Sequence, residues 1–260
     1  MLRSLALCFL LVPGFTCYAQ SVTVRPSAIV DIELIGPQAP EYAASVSRIV
    51  GAEQLGGLVD WLPYGVVVKN NSSQTLAGMA LMFSLASDGK ALGGSLLTPT
   101  WFTTAGRIKP GQSVIAIPQS VLAQPRDLTP FLRGGKRGNL SNYQQAHSLE
   151  ISLTGVVFAS GQFAGSDEHQ EYERWRATID APRSVAKAVL ERKASGPLSD
   201  TVAWLQTVAD VSSMADADFR AIQGSGMARG MLRTYQENGE AAMYSLAEET
   251  LRQPVFPLHR

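Results

Sequence analysis

The sequence predicts an antiparallel β-sandwich over residues 20–165 followed by an all-α segment over 166–260. Three observations predict it. The first part of the chain holds about seven to nine short apolar runs separated by turn signals, with no helical crossover pattern between them, which is the profile of a sandwich, with a barrel as the alternative. Within 149–180 the apolar period then changes. Leu149, Ile151 and Leu153 alternate with Glu150, Ser152 and Thr154, the pattern of a strand with one wet face, whereas Tyr172, Trp175 and Ile179 fall three and four apart among charged residues. Beyond that point every apolar face has helical spacing, interrupted only by Gly and Pro.

Residues 1–19 read as an export signal. Arg3 supplies the positive flank, LALCFLLVPGF is an apolar core too short to span a bilayer, and Cys17 and Ala19 place small side chains before a cut at Gln20. Both cysteines, Cys8 and Cys17, lie in this segment, so the mature chain is expected to hold no disulfide, thiolate metal site or cysteine nucleophile. A secreted or periplasmic location follows, with no membrane span in the mature chain. The chain has 260 residues, 45% hydrophobic and 17% charged, with a formal net charge of zero. Balanced charge argues against nucleic acid as a partner, because contacts to many phosphates need a basic surplus.

Taken in order, AIVDIELI at 28–35 places Val30, Ile32 and Leu34 on one face and is the first strand; Pro37 and Pro40 end it. YAASVSRIV at 42–50 reads as a further strand of less regular pattern, and 51–63, with its glycines and proline, reads as a loop holding at most one short element. YGVVVKN at 64–70 and LAGMALMFSLAS at 76–87 are two strands joined by NSSQT, a length that suits either a hairpin or a crossing between two sheets. Asp88-Gly89 closes the second. Pro110-Gly111 is a type II turn, proline presetting the first corner and glycine accepting the left-handed second one, and Val114–Ile117 form a strand after it. Segment 118–145 is long, polar and rich in Gly and Pro, as a functional or mobile loop would be. Ser160-Gly161 turns the chain after the strand at 149–158. Ser166 is the expected N-cap of the first long helix, with Asp167 and Glu168 in its first turn, and Pro182 is expected to end or kink it. Val185, Val189 and Leu190 then carry a second helical segment to Lys193, stopped by Gly196-Pro197. Three further helical faces follow: Leu198, Val202, Leu205 and Ala209; Phe219, Ile222, Met227, Met231 and Tyr235; and Met243, Leu246 and Leu251. Such helices would form a small bundle or an arm against the sandwich.

The residues offer no catalytic constellation. The histidines are His147, His169 and His259; there is no HExxH motif, and the spacing of His169 and Glu173 suits a solvated helix start better than a metal site, so neither metal nor cofactor is expected. GSGMARG at 224–230 has the glycines of a dinucleotide loop but follows a helix rather than a strand, so close helix packing explains it better. No GxSxG is present, and nothing in sequence ties Ser225 to a histidine or an acid. Asp167, Glu168, Glu171 and Glu173 could supply paired carboxylates, but Arg174 and Arg176 beside them make a wet charged surface the better account. Trp61, Trp101, Trp175 and Trp204 could stack a sugar, yet each lies in an apolar neighbourhood and reads as core. Arg126, Arg133, Lys136 and Arg137 form the basic cluster of the 118–145 loop, and Arg133, Lys136 and Arg137 are the candidate anion contacts. Asn70, Asn71 and Asn139 begin N-x-S sequons, which matter only in a glycosylating host.

YGVVVKNNSSQTLAGMALMFSLASDGK, followed by IKPGQSVIAIP and then LTGVVFASGQFAG, resembles the immunoglobulin-like β-sandwich modules of exported bacterial proteins over about 50–165. The resemblance implies adhesion, scaffolding or recognition; the inter-sheet cysteines of immunoglobulin domains proper are lacking. The expected function is therefore exported, non-enzymatic binding or structure, with another protein or an envelope component as partner. A hydrolase or carbohydrate-active enzyme with its site between sandwich and helices is one alternative. A small-ligand or anion module using 118–145 is the other.

Overall fold

The computed structural model describes residues 21–51, 59–102, 106–118, 120–122, 140–211 and 218–260. The segment read as an export signal, both cysteines, Asn139 and the basic cluster Arg126, Arg133, Lys136 and Arg137 lie outside the described residues. A strand-rich N-terminal region with two sheets is followed by a C-terminal helical bundle. Among the described residues no helix is long and apolar enough to cross a membrane.

The first sheet runs β1-β8-β4-β5, from Ser21–Val24, Ser148–Phe158, Leu76–Ser87 and Lys90–Leu97, with β9 (Phe163–Gly165) also paired to β8. Its spine is the antiparallel β4–β8 pair, in register from Ala86↔Ser148 to Leu76↔Phe158 with two bulges. One pairing departs from the antiparallel expectation: β1 lies parallel to β8, Ser21↔Ser148 to Val24↔Ile151. The second sheet runs β2-β3-β6-β7, from Ile32–Ile35, Val66–Asn70, Ser113–Ile117 and Ser120–Leu122. Consecutive strands β3 and β4 thus belong to different sheets, so NSSQT is a crossing and not a hairpin. Asn70 sets that corner. It is fully buried; its amide nitrogen donates to the carbonyls of Gln74 (2.8 Å) and Ile108 (3.0 Å), and its Oδ1 accepts from the backbone N–H (3.1 Å) and hydroxyl (2.6 Å) of Ser72. The Pro110-Gly111 turn has the expected geometry: Gly111 has φ 76°, and the Gln112 N–H closes onto the Lys109 carbonyl at 3.0 Å.

Residues 42–50 correct the strand expectation. Tyr42–Val50 is a helix, α1, because Tyr42, Val46 and Val50 recur every four residues and are the buried face. Gly51, with φ 83°, follows it at the C-cap. α1 packs on β3 and β6, and this is why Val66, Val67 and Val68 are all buried in succession: each face of β3 is covered. Of the 118–145 stretch, residues 119 and 123–139 lie outside the described residues; its described ends form β7 and α2 (Leu140–Gln145), whose Tyr143 ring meets those of Trp61 and Tyr64 at 6.2 and 5.7 Å. One hydrophobic cluster joins Met79, Leu81, Phe83, Leu149 and Ile151 of the first sheet to Val67, Ile115 and Ile117 of the second.

The helical part comprises α3 (Glu171–Ser195), α4 (Leu198–Ala209), α5 (Phe219–Asn238) and α6 (Glu240–Arg252). Pro182 neither ends nor divides the first of these; α3 is continuous through it, to the stop at Gly196-Pro197. Nor is Ser166 the cap. Its N–H donates to the Thr154 carbonyl at 3.0 Å, and the Asp167 carboxylate instead accepts from the Tyr172 N–H at 2.8 Å, one of the first-turn donors that a helix leaves unpaired. The helices fold back on one another around Val185, Val189, Leu205, Ala228, Met231, Met243 and Ala247. Arg183 on α3 donates to the carbonyls of Thr250, Leu251 and Gln253 at 2.9–3.1 Å, satisfying acceptors that the end of α6 leaves open.

Candidate functional site

A site between the sheets and the helices would have to sit where α3 crosses the first sheet. That junction is apolar. Trp175, 1% exposed, projects from α3 onto the outer face of the sheet with Ala77, Ala80, Val157 and Phe256. Gly78 and Gly155 lie beneath the indole: a β-carbon at Gly78 would stand 3.8 Å from Trp175 Cε2 and one at Gly155 3.7 Å from its Cη2, both ordinary contacts, whereas the Gly155 β-carbon would crowd Phe163 Cε2 at 3.0 Å. The chain after α6 closes the seam from outside. Phe256 stacks on Phe102 at 4.4 Å; the Phe163 N–H donates to the His259 carbonyl (2.8 Å), the His259 N–H donates to the Gly161 carbonyl (2.9 Å), and Arg260 pairs with Asp167 at 2.7 Å. A small cavity of about 280 Å³ remains at the edge of the seam, lined by Thr98, Thr100, Arg174, Thr178 and Gln223 beside the aromatic rings of Trp175 and Phe219. Neither a carboxylate nor an imidazole lines it among the described residues.

The individual candidates separate in space. His169 precedes α3 rather than lying on it, so it shares no helix face with Glu173; its N–H donates to Glu171 Oε2 at 3.1 Å and its carbonyl accepts from Arg174 Nε at 3.0 Å. His147 Nδ1 lies 3.0 Å from Asp88 at the β4–β5 turn, and His259 Nδ1 lies 2.7 Å from the Pro257 carbonyl. Among the described residues, no group of three or more His, Cys, Asp or Glu side chains converges as metal ligands would. The carboxylate cluster is not the uniformly wet surface expected. Glu171 is fully buried at the helix start, Asp167 is engaged by Tyr172 and Arg260, and the Arg174 guanidinium covers the Phe219 ring at 3.9 Å. GSGMARG lies inside α5, where Gly224 faces Val185 and the buried Ser225 hydroxyl donates to the Ala209 carbonyl at 3.4 Å. Trp61 and Trp175 are buried, Trp101 packs against the main core, and Trp204 lies under the Arg192 guanidinium at 4.7 Å, so no exposed aromatic platform forms from them. Asn70 is buried and fully hydrogen-bonded, whereas Asn71 is exposed and donates to Glu33 at 2.9 Å.

A more open concavity among the described residues lies elsewhere, on the side of the second sheet next to α1. It is a cleft of about 750 Å³ whose walls come from α1, from the neighbouring strands β2 and β3, and from the 106–114 segment leading into β6. Arg48, Lys69, Arg107 and Lys109 line it together with Glu33 and Glu41. Glu33 is already engaged: Asn71 and Lys69 donate to its Oε2 at 2.9 and 3.2 Å, and they hold its carboxyl below the usual carboxylate range against the opposing effect of burial. Arg107 is fixed by donation to the carbonyls of Trp101 (3.1 Å) and Phe102 (3.0 Å), contacts that leave its charge intact. Sequence reading missed this cleft because its cations come from positions 48, 69, 107 and 109, and no local motif links them.

Comparison with protein-family models, curated protein sequences and solved structures finds no match to this chain.

Proposed function

We propose that the chain is an exported, non-enzymatic binding or structural protein that mediates a protein–protein or cell-envelope contact. In this reading the two sheets are the layers of an immunoglobulin-like sandwich and the bundle is an appendage docked on one outer face. The observation that carries it is the Trp175 seam: the junction where an interdomain active site would open is filled by apolar side chains. Catalysis needs acid, base or nucleophile groups within reach of one another and of a substrate. The pairs that do form support the same view, because His147–Asp88 sits at an exposed turn and Asp167–Arg260 closes the chain end onto α3. Export is supported by the sequence of 1–19.

The test uses the full chain in a bacterial cell. Fractionation with N-terminal sequencing should place a chain beginning at Gln20 in the periplasm or medium. Photo-crosslinkers at exposed sandwich and bundle positions should then trap one envelope component, which binds the purified protein in a two-component assay. Turnover of any member of a glycoside, ester and peptide panel, lost on His147→Ala or Asp88→Asn, would overturn the reading.

A further inference from the structure

We infer that the cleft between α1 and the second sheet is a binding site for a small ligand carrying at least two oxyanion groups, phosphate or carboxylate. The inference deepens the binding reading above and rests on it only in treating the chain as a binder.

Charge is the first argument. The chain as a whole is neutral, yet the cleft lining holds two more cations than carboxylates. One of those carboxylates, Glu33, is already matched by Lys69. That leaves Arg48, Arg107 and Lys109 against Glu41, and none of these three cations makes an ion pair among the described residues. Cations gathered along an open cleft raise the local concentration of anions, an effect that salt screens where the side chains are exposed, as those of Arg48 and Lys109 are.

Placement is the second argument. Arg48 stands on α1 and Lys109 on the segment before the Pro110-Gly111 turn, so the charge comes from separate walls and suits a ligand with more than one anionic group. The turn wall is held in shape. Gln112 Oε1 accepts from the Lys109 N–H at 2.9 Å, and the Gly111 N–H donates to the Asn70 carbonyl at 2.7 Å. Ser45, Gln112 and Ser113 add polar groups to the same lining. The volume falls within the range of about 300–1,000 Å³ usual for small-molecule sites. An arginine matches an oxyanion with paired donors, whereas a lysine acts as a point charge.

The test is a titration of the isotopically labelled full mature chain with citrate in one arm and inorganic pyrophosphate in the other, followed by amide chemical shifts. Saturable shifts confined to Ser45, Arg48, Lys109, Gln112 and Ser113 are expected, in the millimolar range or tighter, weakening several-fold between low and physiological salt. The tighter arm identifies the source as carboxylate or phosphate. Arg48→Glu with Lys109→Glu should raise the dissociation constant at least tenfold, and the neutral pair Arg48→Gln with Lys109→Gln should raise it by less. Both side chains are exposed, so the neutral pair should leave the melting temperature within a few degrees of the wild type, whereas Arg48→Glu also places a carboxylate in the last turn of α1. Shifts spread over surface lysines, or an affinity unchanged by the charge reversal, would overturn the inference. Hydrolysis of pyrophosphate that is lost in the same variants would overturn the non-enzymatic reading while leaving the oxyanion site standing.

Discussion

Truncating Asn70 to alanine removes four hydrogen bonds from a fully buried corner, two donated to the carbonyls of Gln74 and Ile108 and two accepted from Ser72. The Ile108 carbonyl also accepts from the Leu76 N–H, and the one proton of the Ser72 hydroxyl, released from Asn70 Oδ1, can turn to the Gln74 carbonyl, so the damage falls mainly on the corner's geometry. Asn70→Ala is expected to lose about 1–3 kcal/mol in urea unfolding, and Asn71→Ala, on the exposed side, much less. Tyr42 gives a pH dependence. Its hydroxyl donates to the Leu62 carbonyl at 2.8 Å, and burial pushes the phenol above its ordinary range. A raised phenol contributes stability that is present below about pH 10, where the unfolded chain would begin to ionise, and that is lost as pH rises toward the folded value. Tyr64 and Tyr143 are raised too, chiefly by burial, and act in the same direction. Denaturation measured from about pH 8 to 11 should therefore show the wild type losing stability more steeply than Tyr42→Phe, which keeps the ring and removes the proton; equal slopes would contradict the assignment.

At the scale of elements, the helices are held by contacts outside their own sequences. Arg183 of α3 closes the end of α6 through three carbonyls, so Arg183→Met should expose them and speed hydrogen exchange across the last turn of α6 while leaving the middle of α5 protected. The chain after α6 acts as a strap on the β8–β9 hairpin. Gly161 sits at φ 97°, and a β-carbon there would overlap the Pro257 carbonyl oxygen. Gly161→Ala is thus strained both by its backbone angle and by the close approach. Limited proteolysis should cut this variant between α6 and the C-terminus at protease levels the wild type resists. The helix at 42–50 belongs to this scale as well. Its apolar residues recur every four positions, a period visible in YAASVSRIV, but β-branched Val46, Ile49 and Val50 pull the reading toward a strand until burial decides between them.

For the whole molecule, the seam joins the strand-rich region to the bundle with the Trp175 indole at its centre. Trp175→Ala should cost about 3–5 kcal/mol, since a buried aromatic leaves a cavity that the glycine-lined sheet face cannot fill. Gly155→Ala approaches the same seam from the other side, crowding Phe163 at 3.0 Å, and is expected to cost about 1–3 kcal/mol. Calorimetry distinguishes the effects: if the seam couples the two parts, the wild type should unfold in one transition that Trp175→Ala splits or broadens, and a uniform shift would argue that they unfold together regardless.

The strand-rich first part, the change of period near residue 166, the Pro110-Gly111 turn and the folded-back helices could be read along the chain, because periodicity and turn chemistry are local; the helix at 42–50, the strand at 21–24 and the helix at 140–145 could not. The same locality limits what can be read. Two apolar runs joined by NSSQT look alike whether they form a hairpin or cross between sheets; the choice was made by Asn70 reaching Ile108 across the fold. Trp175 reads as an apolar residue on a helix face, but it becomes the seal of the junction only where Ala77 and Ala80 of β4, Val157 of β8 and Phe256, from distant parts of the chain, meet it. The cationic cleft is the extreme case, since Arg48, Lys69, Arg107 and Lys109 carry no shared pattern and become one site only when α1 is laid against the second sheet. Sequence determines the segments whose period is unambiguous; the helix at 42–50, and which side chains share a surface, are decided by long-range packing.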